Sequence, residues 1–180
     1  MANLLTAIRL LLAVPTALSI ALVLVLPPVV PVLLVVIAIV TDYFDGKIAR
    51  RLGTASPRGQ VFDHTTDFLF VTSALFGAAY ADLLTPVLPV LIVIAFSQYV
   101  LDSYFFYHEK QLHMNKLGRW NGIFYFVPIL MIVCSRTAPF SGIADILGMI
   151  VFLLGWCLVL STVLSILDRA MAPLHIREKE

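Results

Sequence analysis

Six stretches of this chain, near 4–26, 30–52, 58–80, 86–109, 116–135 and 142–169, are apolar over a length suited to crossing a bilayer as a helix, roughly 20 residues. Lipid offers no water to the backbone, so each run must close its hydrogen bonds within itself. The sequence therefore predicts an all-α integral membrane bundle of six transmembrane helices. With 61% apolar and 13% charged residues in 180, it is one domain over 1–180, too hydrophobic for an ordinary soluble fold. The net charge is +1 with no basic run, which excludes nucleic acid as a partner. Cys134 and Cys157 both fall in apolar runs and are read as buried, inert thiols rather than a disulfide.

The breaks between runs have chemical causes. Pro27-Pro28 is expected to end the first helix and Gly53 the second. Ser56-Pro57 and Thr85-Pro86 each read as an N-cap followed by a first-turn proline, Asn115 and Ser141 as caps of the fifth and sixth helices, and Pro173 as lying past the last. Arg9 sits inside the first apolar run and no basic segment precedes it, so that run is not read as a cleavable signal. With both termini on one side, that side receives Arg9, Lys47, Arg50, Arg51, Arg58, Lys110, Lys116, Arg119, Arg169, Arg177 and Lys179. The other side receives Arg136 alone. This asymmetry places both termini in the cytoplasm.

The stretch Thr41 to Phe68, which joins the end of the second run to the start of the third, holds Asp42, Asp45, Asp63 and Asp67. A carboxylate in a membrane helix costs roughly 2.5 to 3.5 kcal/mol near the bilayer centre, so such residues mark function. Asp42, Asp45, Gly46 and Ala49 share one helix face, and Gly59, Asp63 and Asp67 share a face of the next. If the two helices are antiparallel neighbours, four carboxylates converge and demand a cation. All-oxygen ligands of this hardness suit Mg2+ or Mn2+. The glycines and Ala49 leave a floor with almost no side chains, on which a bulky group can lie.

These residues match D-x2-D-G-x2-A-R-x8-G-x3-D-x3-D with every gap kept, a pattern that resembles the signature of the CDP-alcohol phosphotransferases. The resemblance extends to Asn3, Thr6 and Arg9, which look like the N-x-x-T-x-x-R start of the family's first helix. It implies a CDP-linked donor, attack by an alcohol on the lipid-side phosphate, and CMP as leaving group. Carried over residue by residue, it implies that Asp42, Asp45 and Asp63 are metal ligands and Asp67 the base, with a share in the metal. It further implies that Gly46, Ala49, Arg50, Gly59 and Thr6 line the nucleotide pocket, and that the protein is a homodimer. One departure concerns His64. The run SPRGQVFDHTTD is similar to the form seen in choline and ethanolamine phosphotransferases, and an imidazole near neutral pKa is a natural base. His64 therefore shares or replaces the role of Asp67, or else simply hydrogen-bonds a neighbouring helix.

For the acceptor, Lys116 and Arg119 stand at i and i+3 at the start of the fifth helix, where the helix N-terminus adds to their positive field. They suit a phosphorylated alcohol such as glycerol 3-phosphate, with Arg58 as a third cation. Plain cytoplasmic anchoring is the competing reading. Asp102 and Asn121 are either substrate contacts or a buried polar pair between helices. The aromatics from Tyr104 to Phe126 read as an interfacial belt and lipid-facing packing. The expected activity is transfer of a phosphatidyl group from CDP-diacylglycerol to a small polar acceptor. Transfer of phosphocholine or phosphoethanolamine to diacylglycerol is the alternative within the family. A membrane divalent-cation transporter is the alternative outside it, although its acids would have to line a path between both faces. The intramembrane aspartyl protease signature G-x-G-D is absent.

Overall fold

The computed structural model describes the backbone of residues 2–51, 57–105 and 116–177; the side chains of 2–4, 45, 46, 48–51, 57, 58, 60, 102–105, 116 and 172–177 lie outside the described set. Among the described residues every regular element is helical: α1 (Ala2–Ile20), α2 (Val29–Arg51), α3 (Pro57–Tyr80), α4 (Val87–Phe105), α5 (Lys116–Phe124), α6 (Phe126–Ser135), a 3-10 turn (Ala138–Ile143) and α7 (Ala144–Arg177). The six apolar blocks are therefore six helical blocks, with α5 and α6 together forming the fifth. Leu117–Ser135 and Ala138–Met171 are long and apolar enough to cross a membrane, whereas Leu5–Ile20, Val29–Phe44 and Val87–Leu101 are apolar but shorter.

Several ends differ from the sequence expectation. α1 stops at Ile20, well before Pro27-Pro28. Leu22 takes a left-handed φ of 60°, and the Val23 and Leu22 N–H groups reach back to the Leu18 and Ser19 carbonyls. This is a Schellman stop formed without glycine. Arg136 reinforces it by donating to the Ser19 and Ile20 carbonyl oxygens at 3.0 and 2.8 Å, where the C-terminal end of the helix dipole favours a cation. The same stop recurs at Asp82 (φ 55°), which ends α3. The fifth block breaks at Tyr125, because Pro128 lacks an N–H and its ring crowds the carbonyl of Phe124, four residues back. Ser141 lies inside the 3-10 turn rather than capping α7, and α7 runs through Pro173, which removes one bond of the ladder without ending it. Thr85 does cap α4, its hydroxyl accepting from the Val87 N–H at 3.4 Å. Gly53, Ser56 and Asn115 lie outside the described residues.

α1 lies between α2 and α3, and those two helices barely touch one another among the described residues. This corrects the expectation that the acidic helices are direct neighbours. The α1–α3 seam is built from small side chains. Ala13 on one helix and Ala74 and Ala78 on the other are buried, and a Cβ added to Gly77 would lie 2.4 Å from the Ala17 carbonyl oxygen. Without a hydrophobic drive between helices in lipid, such close approach supplies the packing contacts instead. α7 packs on α4, α5 and α6, and α6 also reaches back to α2 and α3. The outer face of α7 carries Ile146, Met149, Leu153, Leu160, Leu164 and Leu167 exposed at helical spacing, a continuous apolar stripe. Two expectations of burial are reversed here: Cys157 lies on that exposed side, and Tyr125, expected on the lipid-facing belt, is buried with its hydroxyl 2.7 Å from Thr162 Oγ1.

Candidate active site

The site is assembled around Arg9. This side chain is fully buried, on the face of α1 that also buries Thr6, Ala13 and Thr16 at helical spacing. Its guanidinium forms ion pairs with Asp42 of α2 (Nη2 to Oδ1, 3.2 Å) and with Asp63 of α3 (Nη1 to Oδ1, 3.0 Å), and Nη1 also donates to Asp67. The rigid fork of the guanidinium, with its five N–H donors, lets one side chain serve three carboxylates from two helices.

One oxygen from each of Asp42, Asp63 and Asp67 lies within 4.8 Å of the others. Three carboxylates less one guanidinium leave a formal charge of −2, which one divalent cation balances. Oxygens on opposite sides of one Mg2+ stand about 4.2 Å apart, so small side-chain rotations bring the three onto one ion. Each carboxylate has a second oxygen, so binding an ion does not require Arg9 to leave. The donor set therefore fits a hard divalent cation.

Beside the carboxylates opens a cavity of about 710 Å³. Its acidic end holds Asp42, Asp63, Asp67 and His64, and Arg119 and Arg169 add positive charge elsewhere on its lining. Val71, Ile92 and Leu130 supply apolar wall, together with Phe68 and Phe96, whose rings stack at 4.0 Å. The cavity thus offers a polyanion two cations and an acidic, metal-ready corner, and offers lipid an apolar surface.

Of the residues singled out from the sequence, Asp42, Asp63 and Asp67 meet at one point, and His64 and Arg119 share their cavity. Thr6 is buried one turn before Arg9 on the same helix face, and Gly59 lies at the start of α3. The side chains of Asp45, Gly46, Ala49, Arg50, Arg58, Lys116 and Asp102 lie outside the described residues. Sequence reasoning counted Arg9 as a topological charge and as part of the family-like N-x-x-T-x-x-R start, without giving it a role among the carboxylates. The signal that finds it is its position, a lone cation inside an apolar helix, which needs a buried partner. Gln98 on the cavity wall was also missed, and Arg169 was counted only for topology.

The fold and site define a class: a protein helical throughout its described residues, with a corner of three converging carboxylates opening into a cavity that is part polar and part apolar. Residues 1–167 match the family model for CDP-alcohol phosphatidyltransferase, and the chain belongs to that family. It is also similar to "Uncharacterized CDP-alcohol phosphatidyltransferase class-I family protein 3" of Dictyostelium discoideum, with 32% identity over 109 residues. That alignment covers 56% of this chain and 25% of the relative, so the chain spans about a quarter of that relative's length.

Proposed function

We propose that this chain is a six-span membrane enzyme, with both termini and the acidic corner at the cytoplasmic face, that transfers a phosphatidyl group from CDP-diacylglycerol to a small polar alcohol. The observation that carries the reading is the convergence of Asp42, Asp63 and Asp67 on one point of a cavity that also presents Arg119. Glycerol 3-phosphate is the first choice of acceptor. Its phosphate is assigned to Arg119 with Lys116 and Arg58, and the cytidine side of the donor to Gly46, Ala49, Arg50, Gly59 and Thr6.

In this reading Asp42, Asp45 and Asp63 hold Mg2+ or Mn2+, with Asp67 as base and further ligand. The ion supplies neutralisation of the donor's pyrophosphate and of the charge that builds on the departing CMP. Arg9 keeps the carboxylates aimed at one point. Asp67, alone or with His64, takes the proton of the acceptor hydroxyl. The alcohol oxygen then bonds to the lipid-side phosphorus, the bond from that phosphorus to the bridging oxygen breaks, and the electron pair leaves with CMP. The apolar wall gives the diacyl chains a place while the headgroup reacts. A homodimer is part of the proposal.

The SPRGQVFDHTTD run favours a second reading, transfer from CDP-choline or CDP-ethanolamine to diacylglycerol. One experiment tests both. Purified protein with Mg2+ is given each CDP donor against a panel of labelled alcohols, and CMP is measured. CMP release from CDP-diacylglycerol with a small alcohol supports the first reading, and release from CDP-choline with diacylglycerol replaces it by the second. No release with any pair, together with vesicle ion flux independent of CDP-lipid, would point to a divalent-cation transporter instead.

A further inference from the structure

The connection from α1 to α2 contains no polar side chain. Residues 20–40 are all apolar, so one run ends a helix, passes through the turn and starts the next helix without offering water a side-chain partner. Turns that face water are rich in Gly, Asn, Asp and Ser. The connection from α3 to α4 follows that habit, with Asp82 exposed and Thr85 as cap. Arg9 meets Asp63 and Asp67, and Ala17 meets Gly77, so α1 and α3 run the same way from the carboxylates. Five residues beyond that last contact, Leu22 and Asp82 leave the bundle at the same end and at a similar height.

The end of α1 is also filled from within. A helix ordinarily leaves its last four carbonyls for caps or water. Here the Ala21 N–H donates to the Ala17 carbonyl oxygen, Val23 and Leu24 to that of Leu18, and Leu22 to that of Ser19, while Arg136 donates to both Ser19 and Ile20. Pro27 and Pro28 bring no N–H, and the Val30 N–H closes on the Pro27 carbonyl oxygen. Backbone satisfied this fully is what a place without water demands. The side chains beyond it turn outward: Val23 is 63% and Val25 88% exposed. They continue the exposed apolar surface of α2, which carries Val29, Leu33, Val36, Ile37 and Val40. The Val25 and Leu26 N–H groups have no partner among the described residues, which sets the tip at the edge of the dry region and not at its centre.

We propose that the 22–29 connection is a membrane-seated tip, its side chains lodged at the boundary between headgroups and acyl chains of the leaflet opposite the carboxylates. This rests on the membrane-spanning reading above and adds to it a lipid contact that fixes the depth of the hairpin carrying Arg9 and Asp42. Ile20 stands about 17 Å along α1 from Arg9, so the tip is remote from the site.

The test begins from Cys134→Ala with Cys157→Ala, a background without thiols. Val25→Cys, Val23→Cys or Asp82→Cys is added, labelled with a nitrobenzoxadiazole dye and reconstituted into phosphatidylcholine vesicles. Quenching is measured with 5-doxyl phosphatidylcholine in the bilayer and with iodide on both sides, and thermal unfolding that matches the unlabelled background certifies each fold. The labels at 23 and 25 are expected to be quenched by the doxyl lipid, and several-fold less by iodide than the label at 82. Labels at 23 and 25 as open to iodide as the one at 82 overturn the seated tip. Labels that neither quencher reaches are covered by protein, which also overturns it and points to a second copy. Protein that alkaline carbonate strips from the vesicles overturns the membrane-spanning reading itself.

Discussion

Replacing Arg9 by leucine removes a cation that touches three carboxylates and leaves them facing one another. Removing one partner of a buried ion pair costs about 3–5 kcal/mol, because the charge left behind is uncompensated. Asp63 and Asp67 carry most of that, with side chains 27% and 25% exposed; Asp42, at 42%, is screened by water and contributes least. In a chain of this length each kcal/mol moves Tm by about 2–4 °C, so Arg9→Leu should lower Tm by about 6–20 °C in EDTA. The assay is thermal unfolding of purified protein in detergent, with EDTA and then with Mg2+ or Mn2+. A divalent ion supplies the missing charge, so metal should restore much of the loss in the variant and do less for the wild type. Arg9→Lys keeps the charge but loses the fork, and should fall between. A variant Tm within about 2 °C of wild type in EDTA would refute the claim that Arg9 holds the carboxylates together. A full drop that metal does not relieve would refute the cation site.

Four other outcomes are expected. Asp63→Asn should abolish CMP release and weaken Mn2+ binding, read by electron paramagnetic resonance, while the protein still inserts; near-normal turnover would remove Asp63 from the metal. His64→Ala should slow CMP release with Mn2+ binding unchanged, and an unaltered rate would return His64 to packing. Gly77→Ala should destabilise the α1–α3 seam by about 1–3 kcal/mol, measured by unfolding, because backbone rather than a flexible side chain meets the new Cβ. Arg136→Ala should cost about 1–3 kcal/mol by stripping donors from the Ser19 and Ile20 carbonyls, with KM for CDP-diacylglycerol unchanged; a KM effect without a stability effect would contradict the capping role.

The spacing of Asp42, Asp63 and Asp67, the helical blocks and the Thr85 cap were all legible in the sequence. Each depends on neighbours within a few residues, through helical periodicity or local capping. The end of α1 was not legible in the same way. The prolines at 27 and 28 gave a reason to stop, but the helix turned five residues before the first of them, at a left-handed Leu22 whose preceding carbonyls are held by Arg136, more than 110 residues away in sequence. No local pattern carries that information.

The same division runs through the site. The sequence alone determined which carboxylates belong together, because a charge in an apolar helix has to be matched and only a few are present to match it. It could not determine what stands between them. That α1 packs against both acidic helices, and that Arg9 is the side chain meeting all three carboxylates, were decided by how the helices pack. Packing in lipid follows small-residue contact and polar matching between distant segments, and these are properties of pairs of helices rather than of any one of them.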